Sequence, residues 1–167
     1  MVEKDKLFKS KMKFTGVFNF ADFYQFAYDW LKDETGLILI EKKYSEKIVG
    51  DGKNLEIEWV GGRELTDYFK FEMEIKFRIL GLKDVEVSEA GRKIKMNKGI
   101  LEMEVVGNLL RDYKGKFEKN WFRKFIRGIY EKTVIHARIE QFQDKITNDS
   151  DEFLGQAKAY LDLIGKR

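Results

Sequence analysis

Apolar and polar residues alternate strictly from Tyr68 to Leu80. Phe69, Phe71, Met73, Ile75, Phe77 and Ile79 fall on one side, and Lys70, Glu72, Glu74, Lys76 and Arg78 on the other. Period two held over a dozen residues predicts a strand with one dry and one wet face. Weaker forms of the same alternation flank it. Leu55, Ile57 and Trp59 alternate with Glu56 and Glu58, and Leu101, Met103, Val105 and Leu109 are set against Glu102 and Glu104. Val85 and Val87, then Ile94 and Met96, flank Ala90-Gly91 as a hairpin. Leu37 to Val49 reads as extended, with Gly50-Asp51-Gly52-Lys53 as a turn and Gly61-Gly62 as a break. Phe14 to Phe18 reads as a short first strand, preceded by a loose arm bearing Lys4, Lys6, Lys9, Lys11 and Lys13.

Two stretches change to helical spacing. From Ala21 to Glu34, the residues Phe20, Phe23, Tyr24, Ala27 and Leu31 make an apolar stripe that Phe26 and Trp30 widen. Asn19 is placed as its N-cap and Gly36 as its terminator. From Asn120 onward, Phe122, Phe125, Ile126, Ile129, Ile135, Ile139, Phe142 and Ile146 recur at three and four. Thr147 to Asp151 interrupts them, and Phe153, Ala157, Tyr160 and Ile164 resume. A continuous helix of this length would span roughly 65 Å, so a bend near Asn148 or a projecting end is expected. The order predicts an α+β protein: a twisted antiparallel sheet of about five to seven strands, covered by one N-terminal helix and a long C-terminal helical region. The expected organisation is a basic arm over residues 1–13 and one domain over 14–167.

This order of elements over residues 14 to 146 resembles the helix-grip arrangement of START and Bet v 1-like proteins, in which a curved sheet wraps a C-terminal helix. The resemblance implies an apolar cavity for a lipid-like ligand. The stretch Lys119-Asn-Trp-Phe-Arg-Lys-Phe-Ile-Arg-Gly-Ile-Tyr-Glu-Lys132 and the ending Phe153-Leu-Gly-Gln-Ala-Lys-Ala-Tyr-Leu-Asp162 are similar to a group of archaeal proteins of no known activity. That likeness implies a source and no mechanism.

Composition narrows the chemistry. The chain of 167 residues has no Cys and one His, which leaves it without thiol nucleophiles, disulfides or the usual zinc ligands. His136 reads as a helix residue with a local partner. No cofactor is expected, and no enzyme activity. The N-terminus has no apolar signal core, and no apolar run nears the roughly 20 residues of a membrane span. A cytoplasmic protein is the expectation, with peripheral membrane association as an option. Three carboxylate pairs (Glu56 and Glu58, Glu72 and Glu74, Glu102 and Glu104) each share a strand face. Cross-strand pairing with Lys70, Lys76, Arg78 and Lys95 accounts for them.

The most distinctive window is Arg111 to Gly128. It holds Arg111, Lys114, Lys116, Lys119, Arg123, Lys124 and Arg127 against Asp112 and Glu118, a net of +5 in a chain whose net charge is +3. Tyr113, Phe117, Trp121, Phe122 and Phe125 interleave. Arg111, Lys114, Lys116, Lys119, Trp121, Arg123, Lys124 and Arg127 are therefore the candidate anion- or partner-binding residues. A solvated helix face explains them, as do anionic lipid headgroups, nucleic acid or an acidic partner. Glu140 to Asp162 has six acids and two lysines. The acidic partner can thus be a second copy, joined head to tail. The primary expectation is a non-enzymatic binding or assembly module that self-associates through the C-terminal helices. An apolar-ligand carrier and a nucleic-acid or membrane-surface binder are the alternatives.

Overall fold

The computed structural model describes residues 2–115, 125, 128, 129 and 136–165. Among the described residues, the α+β fold has one antiparallel sheet of five strands and two long helices. The elements are β1 (Glu3–Phe18), α1 (Phe20–Trp30), β2 (Ile38–Val49), β3 (Gly52–Glu64), β4 (Phe69–Glu89), β5 (Arg92–Arg111) and α2 (His136–Gly165). Strand order is β1-β5-β4-β3-β2. Successive hairpins lay down β2 to β5, and β1 closes the far edge against β5.

The alternation read from the sequence is the inner face of the sheet. Phe69, Phe71, Met73, Ile75, Phe77 and Ile79 of β4 are buried, with Leu55, Ile57 and Trp59 of β3 and Leu101, Met103, Val105 and Leu109 of β5. Both helices cover this face. Phe23 of α1 meets Phe77 edge-on at 6.2 Å, and Trp59 packs between Tyr24 at 4.9 Å and Phe77 at 4.8 Å. Ile146, Phe153, Ala157 and Leu161 of α2 are fully buried. Trp30 and Phe153 join the two helices, with ring centroids 5.5 Å apart. Asn19 caps α1 by accepting from the Asp22 N–H. Asn97 of β5 accepts from the Phe20 N–H at 3.0 Å. The helix widens into one π-type turn at Leu31–Thr35 and stops at Gly36, whose φ of +70° suits a residue without a Cβ.

Three local expectations are corrected. Residues 3–13 do not form a loose arm; they are the first half of β1, paired with β5 from Glu3 opposite Arg111 onward. A bulge at Leu7 shifts the strand by one residue, so Lys4 and Lys6 before it and Lys9, Lys11 and Lys13 after it all share the outer face. Gly61-Gly62 does not break β3. A Cβ on Gly61 would lie 2.8 Å from Leu39 Cδ2, and one on Gly62 would lie 2.8 Å from Lys70 Cε, so the glycines admit close neighbours within a continuous strand. The hairpin at Ala90-Gly91 forms as expected, with Val85 opposite Met96 and Val87 opposite Ile94. β4 and β5 run into it, with a register shift between Leu80 and Lys83. Finally, Thr147 to Asp151 lies within continuous α2. Ser150 is fully buried against Gly107 of β5, where an added Cβ would lie 2.5 Å from Ser150 Oγ. That contact holds the polar run in helical register.

Candidate binding surfaces

The outer face of the sheet carries a charge lattice set by strand register. In one row, Lys43, Glu58, Lys76, Glu104 and Lys11 lie side by side across all five strands, alternating in sign. In the next row Glu56, Arg78, Glu102 and Lys13 do the same. Lys43 Nζ reaches Glu56 at 2.6 Å, which raises the lysine pKa and lowers that of the carboxyl. Two of the three carboxylate pairs thus stand directly opposite Lys or Arg, under an open cleft of about 500 Å³. Lys95 is not part of this lattice; it pairs with Glu86 near the β4–β5 tip.

Glu72 and Glu74 sit further along, opposite Gly62 and Val60 on one side and Asn108 and Val106 on the other. Their cation comes from β1: Lys4 Nζ lies 2.7 Å from Glu72 and 2.9 Å from Glu74. Burial pulls the Lys4 pKa down, and the two carboxylates together outweigh it, so it ends above its ordinary value. Beside them Asn108 is 1% exposed, and neither its amide oxygen nor its nitrogen has a protein partner. A second open cleft, of about 770 Å³, runs from Lys4, Glu72 and Glu74 to Ile38, Ile40 and Lys42 of β2. Among the described residues no group of three or more His, Cys, Asp or Glu is placed to hold a metal ion.

Of the candidate residues in the basic window, the structure describes two. Arg111 ends β5 with Nη2 2.7 Å from Asp5 of β1. Lys114 lies 2.9 Å from Asp67 and 5.4 Å over the Tyr113 ring, and Asp67, then Tyr113, raise its pKa. The Tyr113 hydroxyl donates to the Thr66 carbonyl at 2.8 Å, so this turn is tied to the β3–β4 loop. Both cations thus serve intrachain pairs. Lys116, Lys119, Trp121, Arg123, Lys124 and Arg127 lie outside the described residues, as does the His136 side chain. Phe125 and Ile129 are described and exposed. On α2, Glu140, Asp144, Asp151, Glu152 and Asp162 are exposed, and Leu163 lies exposed beside the cleft between α1 and α2.

The sequence reading passed over two features. The first is the corner of α1 and β2. There Tyr24 donates to Glu41, and Trp59 Nε1 lies 3.4 Å from the same oxygen. Burial and then Glu41 push the Tyr24 pKa up to about 12. The second is β2 itself. It is a sheet edge of 12 residues in which Ile38, Ile40, Tyr44, Ile48 and Val49 are all at least half exposed. Its apolar residues were visible in the sequence, but no local pattern marks which strand becomes an edge.

No protein-family model matches the chain, and no curated protein or solved structure matches it significantly. No described helix is long and apolar enough to cross a membrane.

Proposed function

We propose that the protein is a non-enzymatic assembly module that self-associates through its C-terminal helical region. The observation that carries this reading is the opposed charge of that region's two parts. Residues 111–128 hold seven basic and two acidic side chains, and residues 140–162 hold six acids and two lysines. The acids named above are exposed on α2, and Phe125, Ile129 and Leu163 add exposed apolar surface. Two copies placed head to tail bring unlike charge together at both ends of the contact.

The same reading takes the fold as a helix-grip variant, with α1 following β1 and α2 following the last strand across the inner face. In such an arrangement an apolar ligand would lie between sheet and helix. Here that region is packed with Trp59, Phe23, Phe71, Phe77 and Phe153, each almost wholly buried. This packing favours assembly over carriage of a lipid-like ligand. Arg111 and Lys114 already face Asp5 and Asp67, so the other five bases of the 111–128 window carry the contact, and nucleic acid or an anionic membrane surface is the alternative partner for the same five.

Sedimentation equilibrium tests the proposal. Wild type should associate at low salt and dissociate as salt screens the contact. Arg123→Glu/Lys124→Glu/Arg127→Glu and Asp144→Lys/Asp151→Lys/Glu152→Lys should each be monomeric, and an equal mixture of the two should associate again. A wild type that is monomeric at every salt concentration refutes the reading. A monomer that retains a few hundred daltons of ligand in a native mass spectrum, a mass on the scale such pockets hold, would replace it with the carrier.

A further inference from the structure

Strand β2 departs from the way sheet edges are ordinarily kept from pairing. Exposed edges tend to be short, and their apolar residues few. This edge runs for 12 residues, with Ile38 75% and Ile48 78% exposed. Half of the ten exposed large apolar residues among the described positions belong to it. Among the described residues it has no neighbouring strand beyond β3, so one row of its backbone N–H and C=O groups has no strand partner there.

Its charges show what would complete it. Glu41 is held by Tyr24, Lys43 by Glu56 and Glu46 by Lys53. Lys42 and Lys47 have no acidic partner among the described residues. A bulge makes Lys42 the extra residue between Glu41, opposite Trp59, and Lys43, opposite Glu58. Lys42 lines the outer cleft with Ile38 and Ile40. The outer face of β2 therefore presents Ile38, Ile40, Lys42 with Lys43, Ser45 and Lys47 in that order. The inner side presents Leu39, Glu41, Tyr44, Glu46 and Ile48.

A second copy of β2 fits this edge badly. Antiparallel pairing about Tyr44 matches charge, setting Glu41 opposite Lys47 and Lys42 opposite Glu46. It also sets outer Ile40 against inner Ile48, whereas opposed residues of one sheet share a face. The neighbouring register restores the faces but places Glu41 opposite Glu46 and Ile40 opposite Lys47. Like charges directly opposed are unfavourable. The bulge therefore works against self-pairing in either register.

We infer that the free edge of β2 receives an extended acidic segment of another polypeptide as a sixth strand. Backbone hydrogen bonds supply the general attraction, and alternate side chains supply the choice of partner. Lys42 and Lys43 share one position because of the bulge. The partner therefore carries one carboxylate opposite that position and another four residues away opposite Lys47, with apolar side chains opposite Ile40 and Ile38. This surface shares no residue with the region proposed for self-association.

A blocked nine-residue peptide tests the assignment. It has Glu at its first and fifth positions, Val at its seventh and ninth, and Thr elsewhere. A second peptide replaces both Glu by Lys. Calorimetry should show wild type binding the acidic peptide and not the basic one. Lys42→Glu/Lys47→Glu should lose the acidic peptide at least tenfold and gain the basic one, and Ile38→Lys should weaken binding of the acidic peptide. Ile38, Lys42 and Lys47 are exposed, so these changes leave the core intact. Amide exchange should slow along β2 when the acidic peptide is present.

Three results would overturn the inference: no binding at millimolar peptide, equal binding of both peptides, or binding unaltered by the variants. A wild-type dimer that Ile38→Lys dissociates would also overturn it, since a second copy would then occupy the edge. Loss of self-association in the helical charge variants with peptide binding intact would separate this surface from the assembly reading.

Discussion

Gly107 of β5 lies directly under α2, and replacing it measures how firmly the helix is seated. A Cβ there would lie 2.5 Å from Ser150 Oγ and 3.1 Å from Ile146 Cγ2. Comfortable separation between such atoms is roughly 3.5 Å, so the first contact is short by about 1 Å. The Ser150 hydroxyl can turn aside, but Ile146 is fully buried and stays in place. Overpacking of this kind costs about 1–3 kcal/mol. Against it, Ala replaces Gly in a strand at a gain of roughly 0.5–1 kcal/mol. Gly107→Ala should therefore lose about 1 kcal/mol, within bounds of about 0 and 2.5 kcal/mol, which at this chain length lowers Tm by roughly 2–4 °C. Ser150 Oγ is buried and has no partner, so Ser150→Ala alone should stabilise by about 1 kcal/mol. Because the two sites touch, Ser150→Ala should offset part of the Gly107→Ala loss, giving a non-additive double-mutant cycle. Urea denaturation followed by far-UV circular dichroism reads all four proteins. A Gly107→Ala variant more stable than wild type, or strict additivity, would refute the seating of α2 on this glycine.

Tyr24 should ionise near pH 12 in a 295 nm titration, and Glu41→Gln should bring that value down. The raised folded-state pKa makes its contribution complete below the ordinary tyrosine value near 10. Stability should then fall as pH rises from there through about 12, and Tyr24→Phe should remove that component of the slope. The two asparagines at the start of α1 serve different N–H groups, Asn19 that of Asp22 and Asn97 that of Phe20. Asn19→Ala and Asn97→Ala should each cost about 1 kcal/mol in thermal denaturation, and no loss from Asn97→Ala would mean that β5 does not cap the helix. Lys4 is nearly half exposed, so Lys4→Met should cost less than about 1 kcal/mol, by an amount that shrinks with added salt. A salt-independent loss would assign the effect to packing instead.

The parts of the fold legible in the sequence are those where one face is continuously dry. Phe69 to Ile79 keeps a single phase along its run, so burial follows directly from alternation. The readings that missed are those where phase or composition changes without a change of element. The lysines of β1 switch from even to odd positions at Leu7, and a reader following period two sees a disordered basic tail rather than a bulged strand. Thr147 to Asp151 carries residues that compete with the helix backbone locally. The spacing Ile146, Ser150, Phe153, Ala157 and Leu161 nevertheless keeps one stripe buried, and tertiary contact outweighs propensity. Gly61-Gly62 has the composition of a turn, yet close approach of Leu39 and Lys70 explains it. The basic window was legible as charge and aromatic rings. That Arg111 and Lys114 are already paired was not, since Asp5 and Asp67 are distant in sequence.

The edge character of β2 follows from chain order rather than from any residue in it. Helix α1 separates β1 from β2, and the next three strands are joined by successive hairpins, so β5 is the last strand added. Once β5 pairs with β1, β3 has β4 on one side and β2 on the other, and β2 is left outermost. Had β1 paired with it instead, a neighbouring strand would occupy the open edge of β2. The apolar residues of β2 are exposed in a molecule whose other strands bury theirs efficiently. Topology decides that this edge is open, and the bulge at Lys42 works against a second copy of the strand. Together they make β2, rather than the charge-matched outer face, the part of the sheet best suited to receiving another chain.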